Sequence, residues 1–426
     1  MLVLSFLALG TLWKQPQLER RASGRPLPEP LDRVLSSTAL RVLAGAISAG
    51  LLILVFLAAL LGEPSPAENL APVFVLIVFW LGLVPVQLLL GDVWRVLNPW
   101  LAIADAVAWA WRKLGQTWTP PLAYPARLGV WPAAFFLFCF AAYELAYSEP
   151  GSPRALALAV ALYSYAMWFG MAACGRRTWD EHANAFTVYF GLLARMAPFG
   201  EHDGRLVVRT PLSGLGTSAP TPGTLALVAV MLGSVAFDGL SQAAFWQELR
   251  ADLEGPYLLD APGTAELIAT GLALAGLIVS VLVVAGAYLG AVELGERLIG
   301  ADRSLASEFI LSLVPVALVY AFAHYFTYFI TSGQYAIPLA SDPFGHGWDV
   351  LGTADYTPVV SAPFSPNNTW YIKIGVLVAG HVAGLAVAHD RAVAIASTRD
   401  ALRSQYAMLA LMVVYTLGGM WLVTLD

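Results

Sequence analysis

The stretch Ser234-Val-Ala-Phe-Asp238-Gly-Leu-Ser241-Gln242-Ala-Ala-Phe245 decides how the chain is read. It sits inside an apolar run from Thr224 to Trp246, long enough to cross a bilayer as a helix. Ser234, Asp238, Ser241, Gln242 and Phe245 recur at helical spacing and are expected on one face. A carboxylate at that depth costs several kcal/mol unless it faces the bundle interior or a wet cavity, at roughly 2.5–3.5 kcal/mol or more for a central charge. Two readings follow: a hydrogen-bonded contact between helices, or the lining of a functional pocket.

The composition widens this to the whole chain. Of 426 residues, 58% are hydrophobic and 12% charged, about half the charge of a globular domain. The expected fold is an all-α, polytopic membrane bundle of about ten transmembrane helices. They fall at 1–13, 38–62, 71–90, 129–147, 155–174, 224–247, 264–290, 308–331, 370–388 and 405–423. The first run would rise only about 18 Å, short of a hydrocarbon core of about 30 Å, so a longer natural segment is expected ahead of Met1. Thr217 to Gly223 reads as a linker that divides the chain into halves, 1–223 and 224–426, with five crossings each. Glycines spaced as Gly286/Gly290 and Gly380/Gly384 mark two sites of close helix approach.

Alternate loops hold 19 of the 23 Lys and Arg residues, which places 14–35, 91–128, 175–223, 291–307 and 389–404 in the cytoplasm and both termini outside. For a bacterial chain the compartment is the cytoplasmic (inner) membrane. Two cytoplasmic interfacial helices are expected, one after Asn98-Pro99 and one over Asn184 to Met196. Asp92 and Arg95 are spaced for an ion pair, and Arg205 to Arg209 for a short strand. The outer loop 332–369 is expected to fold back as a lid over the mouth of the bundle. No basic run stands free of the membrane-flanking loops, so nucleic acid is not an expected partner. Cys139 and Cys174 lack metal spacing and read as apolar fillers.

Four titratable groups from four helices gather in the outer half of the membrane: Glu144, Asp238, His324 and His381. His nitrogen and carboxylate oxygen suit Zn²⁺, Fe²⁺ or Mn²⁺, so these four are the expected ligands of a divalent transition metal, with Asp238 and His324 the catalytic pair. Ser241, Gln242 and Tyr320 on the same stripes, with Asp342, His346 and Asp349 in the outer loop, are expected to contact a small-molecule substrate. His389, beside Asp390 and Arg391, reads as a solvated helix-end residue, and His182 and His202 as loop residues.

Several blocks resemble one family. Asn69-Leu-Ala-Pro-Val-Phe, Phe79-Trp-Leu-Gly-Leu, Gly91-Asp-Val-Trp-Arg-Val-Leu-Asn-Pro-Trp100, Gly233-Ser-Val-Ala-Phe-Asp-Gly-Leu-Ser241, Ser341-Asp-Pro-Phe-Gly and Gly380-His381-Val-Ala-Gly-Leu-Ala-Val-Ala-His389-Asp-Arg391 are similar to the bacterial multi-pass proteins called fenitrothion hydrolase. The resemblance covers essentially the whole chain. It implies hydrolysis of an organophosphate triester by a membrane protein working with a partner subunit, and it supplies no catalytic residues. Family members carry a polar, His-containing segment ahead of the first crossing, which is not present here. An enzyme using metal-activated water is the first functional expectation. A transporter or ion-coupled permease for a small solute or metal ion is the alternative, and haem ligation by His324 and His381 a third.

Overall fold

A computed structural model describes residues 1–359 and 364–423, without the side chains of 366, 398 and 423. Residues 360–363 of the expected outer loop lie outside the described residues. The ten apolar runs all become helices: α1 (Leu2–Leu12), α3 (Thr38–Leu61), α4 (Leu70–Leu90), α6 (Trp131–Leu145), α7 (Pro153–Cys174), α10 (Thr224–Ser241), α12 (Pro262–Ile299), α13 (Val314–Ser332), α14 (Pro366–Ile395) and α15 (Tyr406–Val423). Between them lie α2 (Gln17–Arg21), α5 (Pro99–Lys113), α8 (Arg176–Ala183), α9 (Ala185–Ala194) and α11 (Ala244–Glu254). Among the described residues eight helices, α3, α4, α7, α10 and α12 to α15, are long and apolar enough to cross a membrane, whereas α1, α6 and α9 are shorter. The protein is a membrane-type α-helical bundle. One buried apolar cluster runs from Leu2 through Phe186 and Leu227 to Met412 and so joins both halves of the chain.

Helix α10 is the axis of this packing. Leu227 through Leu232 are all buried, and Gly233 lets α12 approach so closely that a Cβ there would lie 2.6 Å from the Cα of Val281. The Gly380/Gly384 pair does the same for α14, since a Cβ at Gly384 would meet the Ser312 carbonyl at 2.7 Å. Gly286 and Gly290 face open space, so their spacing marks no helix contact. Their helix is mostly unburied and lies at the edge of the bundle.

Three local expectations are corrected. The Asn184–Met196 segment is core rather than interfacial: Asn184 caps α9 through the amides of Phe186 and Thr187, and Phe186, Tyr189, Phe190 and Leu193 are buried. Its apolar residues run all round the helix, which requires burial on every side. Arg95 pairs with Glu201 instead of Asp92, whose Oδ1 accepts the Arg95 backbone N–H at 3.3 Å. His389 is buried, with Nε2 2.9 Å from the Trp13 carbonyl, and the neighbouring Asp390 accepts from Trp13 Nε1 and the backbone amides of Gln17, Leu18 and Glu19. That carboxylate fills the orphan donors at the start of α2 and ties the N-terminal segment to α14.

The strand expected at Arg205–Arg209 is present and paired. A small antiparallel sheet has the order β1–β3–β2, with β1 at Arg25–Pro26, β2 at Phe199–His202 and β3 at Arg205–Val208. The turn at Asp203-Gly204 has positive φ at both residues, the backbone a tight hairpin needs.

Candidate functional site

Helix α10 stops just past Asp238. Ser241 Oγ donates to the Asp238 carbonyl at 2.6 Å, and the amides of Gln242 and Ala243 turn back onto Gly239 and Leu240. Ala243 is extended, and a new helix, α11, starts at Ala244. The crossing expected to reach residue 247 is therefore broken, and Phe245 leaves the stripe and is exposed. The break folds α11 back so that Trp246 meets Phe237 edge-on, with ring centroids 5.3 Å apart. Gln247 and Arg250 are thereby brought over the end of α10, where Gln247 Nε2 donates to the Ser241 carbonyl.

Asp238 and His324 converge. His324 Nε2 lies 2.9 Å from Asp238 Oδ2, and the same oxygen accepts the Tyr325 hydroxyl at 2.6 Å. The two side chains are 14% and 16% exposed, sheltered yet reachable. Glu144, near the end of α6, comes to the same place. It makes no hydrogen bond or ion pair with any described residue, although it is largely enclosed.

Two cavities meet at Glu144. The first, about 260 Å³, is polar and is lined by Glu144, Asp238, Ser241, Gln242, Gln247 and Arg250, with Phe237 and Trp246 among its apolar walls. Arg250 also pairs with Glu254 at 3.0 Å. The second, about 190 Å³, is apolar and is walled by Trp80, Phe140, Tyr189, Phe326 and Phe329, with Ser234, Tyr325 and Glu144 at its polar edge. Trp80 stacks on Tyr189 and packs against Phe140, at 4.8 and 4.7 Å between centroids.

The other expected site residues lie elsewhere. His381 is fully buried, with Nδ1 donating to the Leu377 carbonyl at 2.7 Å and Nε2 without a partner among the described residues. Its ring packs 5.8 Å from that of Tyr320, whose hydroxyl donates to the Tyr415 carbonyl. Neither lines the two cavities. Among the described residues no group of three or more His, Cys, Asp or Glu side chains is placed to hold a metal ion. Of the four expected ligands, His381 thus faces a different helix contact from Glu144, Asp238 and His324.

Asp342, His346 and Asp349 form a self-contained knot. Asp342 accepts the amides of His346 and Gly347, and Asp349 accepts Ser341 Oγ at 2.8 Å and the Ala354 amide at 3.0 Å. Phe344 and Pro343 carbonyls receive the amides of Glu63 and Leu70, so this part of the outer loop docks on the α3–α4 turn. At the loop's far end Phe364 stacks on Phe326, a wall of the apolar cavity.

Sequence reading missed Tyr325, Gln247 and Arg250. Arg250 carried a signal, as one of few basic residues outside the Arg-rich loops. Tyr325 carried none beyond adjacency to His324. No protein-family model matches the chain, no curated protein is significantly similar to it, and no solved structure matches it.

Proposed function

We propose that this protein is a membrane-embedded hydrolase for a small neutral ester, organophosphate triesters included. The observation that carries this reading is Glu144, a carboxylate without a partner among the described residues, shared by a polar cavity and an apolar one. An uncharged ester with an aromatic or alkyl group fits such a pair of chambers, its apolar group in the second and its reacting centre in the first.

In this mechanism Asp238 is the general base. His324 and Tyr325 hold its Oδ2, leaving Oδ1 to take a proton from a water in the polar cavity. The water oxygen bonds to phosphorus or the acyl carbon. Arg250, Gln242 and Gln247 meet the negative charge that develops on the ester oxygen. Glu144 delivers its proton to the departing alkoxide or phenolate, so the bond to the leaving group breaks as an alcohol or phenol forms.

The bundle sits in the bacterial cytoplasmic membrane in this reading, with cavities at the outer face and both termini outside. The placement of 19 of 23 basic residues in alternate loops supports that orientation. The bilayer is the immediate partner, and a second membrane subunit the protein partner. A second reading, a proton-coupled permease, rests on two carboxylates sharing one cavity at the end of α10.

Turnover of a chromogenic phosphotriester or carboxyl ester by purified protein in detergent separates the two, since a permease needs two compartments. The hydrolase reading requires turnover that Asp238→Asn and Glu144→Gln each abolish. Solute uptake into liposomes without turnover in detergent would replace it with the permease.

A further inference from the structure

At the opposite end of α10 lies a second polar space. Thr224 and Leu227 line it, about 20 Å along the helix from Asp238. It is a crevice of about 450 Å³ between the end of α9, the β2 strand, the 219–224 turn and the Asp92 loop.

Three arginines, Arg95, Arg195 and Arg209, line it with three carboxylates, Asp92, Glu181 and Glu201, but they are unevenly paired. Arg95 is paired with Glu201. Glu181 is exposed and also lines the crevice, and His182 Nδ1 lies 2.9 Å from the Thr178 carbonyl. Arg209 is fixed by the carbonyls of Ala194, Arg195 and Ala197 and lies in a slot between Gly200 and Gly214. A Cβ at Gly214 would stand 2.6 Å from the Arg209 guanidinium carbon, so both glycines make room for it. No carboxylate pairs with Arg209 among the described residues. Arg195 is half-buried in the crevice, and its guanidinium makes no hydrogen bond or ion pair with any described residue. Asp92 is the acid whose field reaches it, from beyond ion-pair distance. A guanidinium has five N–H donors in a planar fork that suits a carboxylate or phosphate, and Arg195 spends none of them on the described residues.

We propose that this crevice is a binding site for a phosphate-type oxyanion, held by the Arg195 fork with Arg209 behind it. Gly191 on α9 leaves the space open, as a Cβ at that position would meet nothing within 4 Å. The phosphate belongs either to a free small molecule or to a lipid headgroup, because the crevice lies at the end of the helix that crosses the membrane. This site is independent of the hydrolase reading, being at the other end of the bundle.

The test uses the full chain in neutral detergent with inorganic phosphate titrated at constant ionic strength by calorimetry, and in nanodiscs with and without an anionic phospholipid. Saturable phosphate binding is expected, weakened at least about tenfold by Arg195→Gln, the equivalent of one lost charge-assisted contact. Gly191→Leu fills the space without touching a charge and should weaken binding comparably, so it carries the test if Arg195→Gln fails to fold. Asp92→Asn should tighten binding, whereas an Arg195 that serves only Asp92 would give a less stable variant and no gain. Phosphate binding in detergent identifies a free ligand. Co-purifying anionic lipid that both crevice variants release identifies a headgroup. Equal phosphate and lipid binding by wild type and both variants overturns the proposal.

Discussion

Asp180 and Asp238 are both enclosed carboxylates, yet they are built differently. Asp180 Oδ1 accepts Asn98 Nδ2 at 2.7 Å, Asn184 Nδ2 at 2.8 Å and Thr187 Oγ1 at 3.1 Å, and it lines neither cavity at Glu144. Those asparagines are the helix caps of α5 and α9, each with the same extended backbone, so one carboxylate clamps both helix starts. Burial pushes Asp180 above the ordinary carboxylate value, and its three donors pull it back. Asp238 has two donors instead of three, both on Oδ2, and it lines a polar cavity beside Glu144, which has no partner among the described residues. A carboxylate that gathers the capping side chains of two helices holds structure. One that lines a cavity with an oxygen to spare is available for chemistry.

The sharpest way to break this contrast is to remove each acid in turn. Asp180→Ala strips two buried donors and one half-buried one of their acceptor and should cost about 3 kcal/mol or more, or prevent folding. A melting temperature in detergent unchanged by that substitution would remove the structural role. Asp238→Asn should do the reverse, lowering ester turnover by about 10²–10⁴-fold while melting stays within a few degrees. If Asp238→Asn unfolds the bundle instead, the difference between the two acids disappears.

Smaller changes sharpen the same point. Asn98→Ala and Asn184→Ala each remove a cap and a donor to Asp180, for about 1–2 kcal/mol apiece. Because they share one acceptor, the double variant should cost less than the sum. Additive losses would mean that the clamp is two separate caps. Tyr325→Phe removes one donor from Asp238 Oδ2 and should lower kcat by about tenfold with KM unchanged, since the hydroxyl orients the base and leaves the substrate cavity intact. A rise in KM alone would move Tyr325 to substrate contact.

The smallest effect belongs to Asp349, a hydrogen-bonded carboxylate in the outer loop. The Ala354 amide and Ser341 hydroxyl hold its carboxyl below the ordinary value of 3.8. A depressed folded value means the stabilisation is present above 3.8 and is lost as pH falls through the folded value. Pepsin cleavage within residues 342–356 should therefore accelerate with acid more steeply than in Asp349→Asn. Parallel acid profiles would show that the knot does not depend on this charge.

Much of the bundle is legible in the chain's own pattern. Apolar runs of helical length at Leu51, Leu282 or Val414 need only counting, because a bilayer-length helix satisfies its own backbone. The caps at Asn98 and Asn184 are legible for a similar reason, since a capping side chain bonds within three residues. The choice of Asp238 with His324 follows from depth along two helices, and the structure joins them at 2.9 Å. Depth along an axis is fixed by residue count.

Rotation about that axis is not, and there tertiary packing decided. His381 has a suitable depth but turns onto the Tyr320 side, where Gly380 and Gly384 press α14 against α13 and fix its rotation. The burial of α9 and the switch of Arg95 from Asp92 to Glu201 depend on partners remote in sequence, and the arrival of Gln247 and Arg250 over Asp238 on the break after Ser241. The sequence determined which residues lie in the bundle and roughly how deep, because local hydrogen bonding and hydrophobic length set both. Which polar groups share a cavity was decided only by how the helices pack, since that depends on rotations and breaks that no single segment specifies.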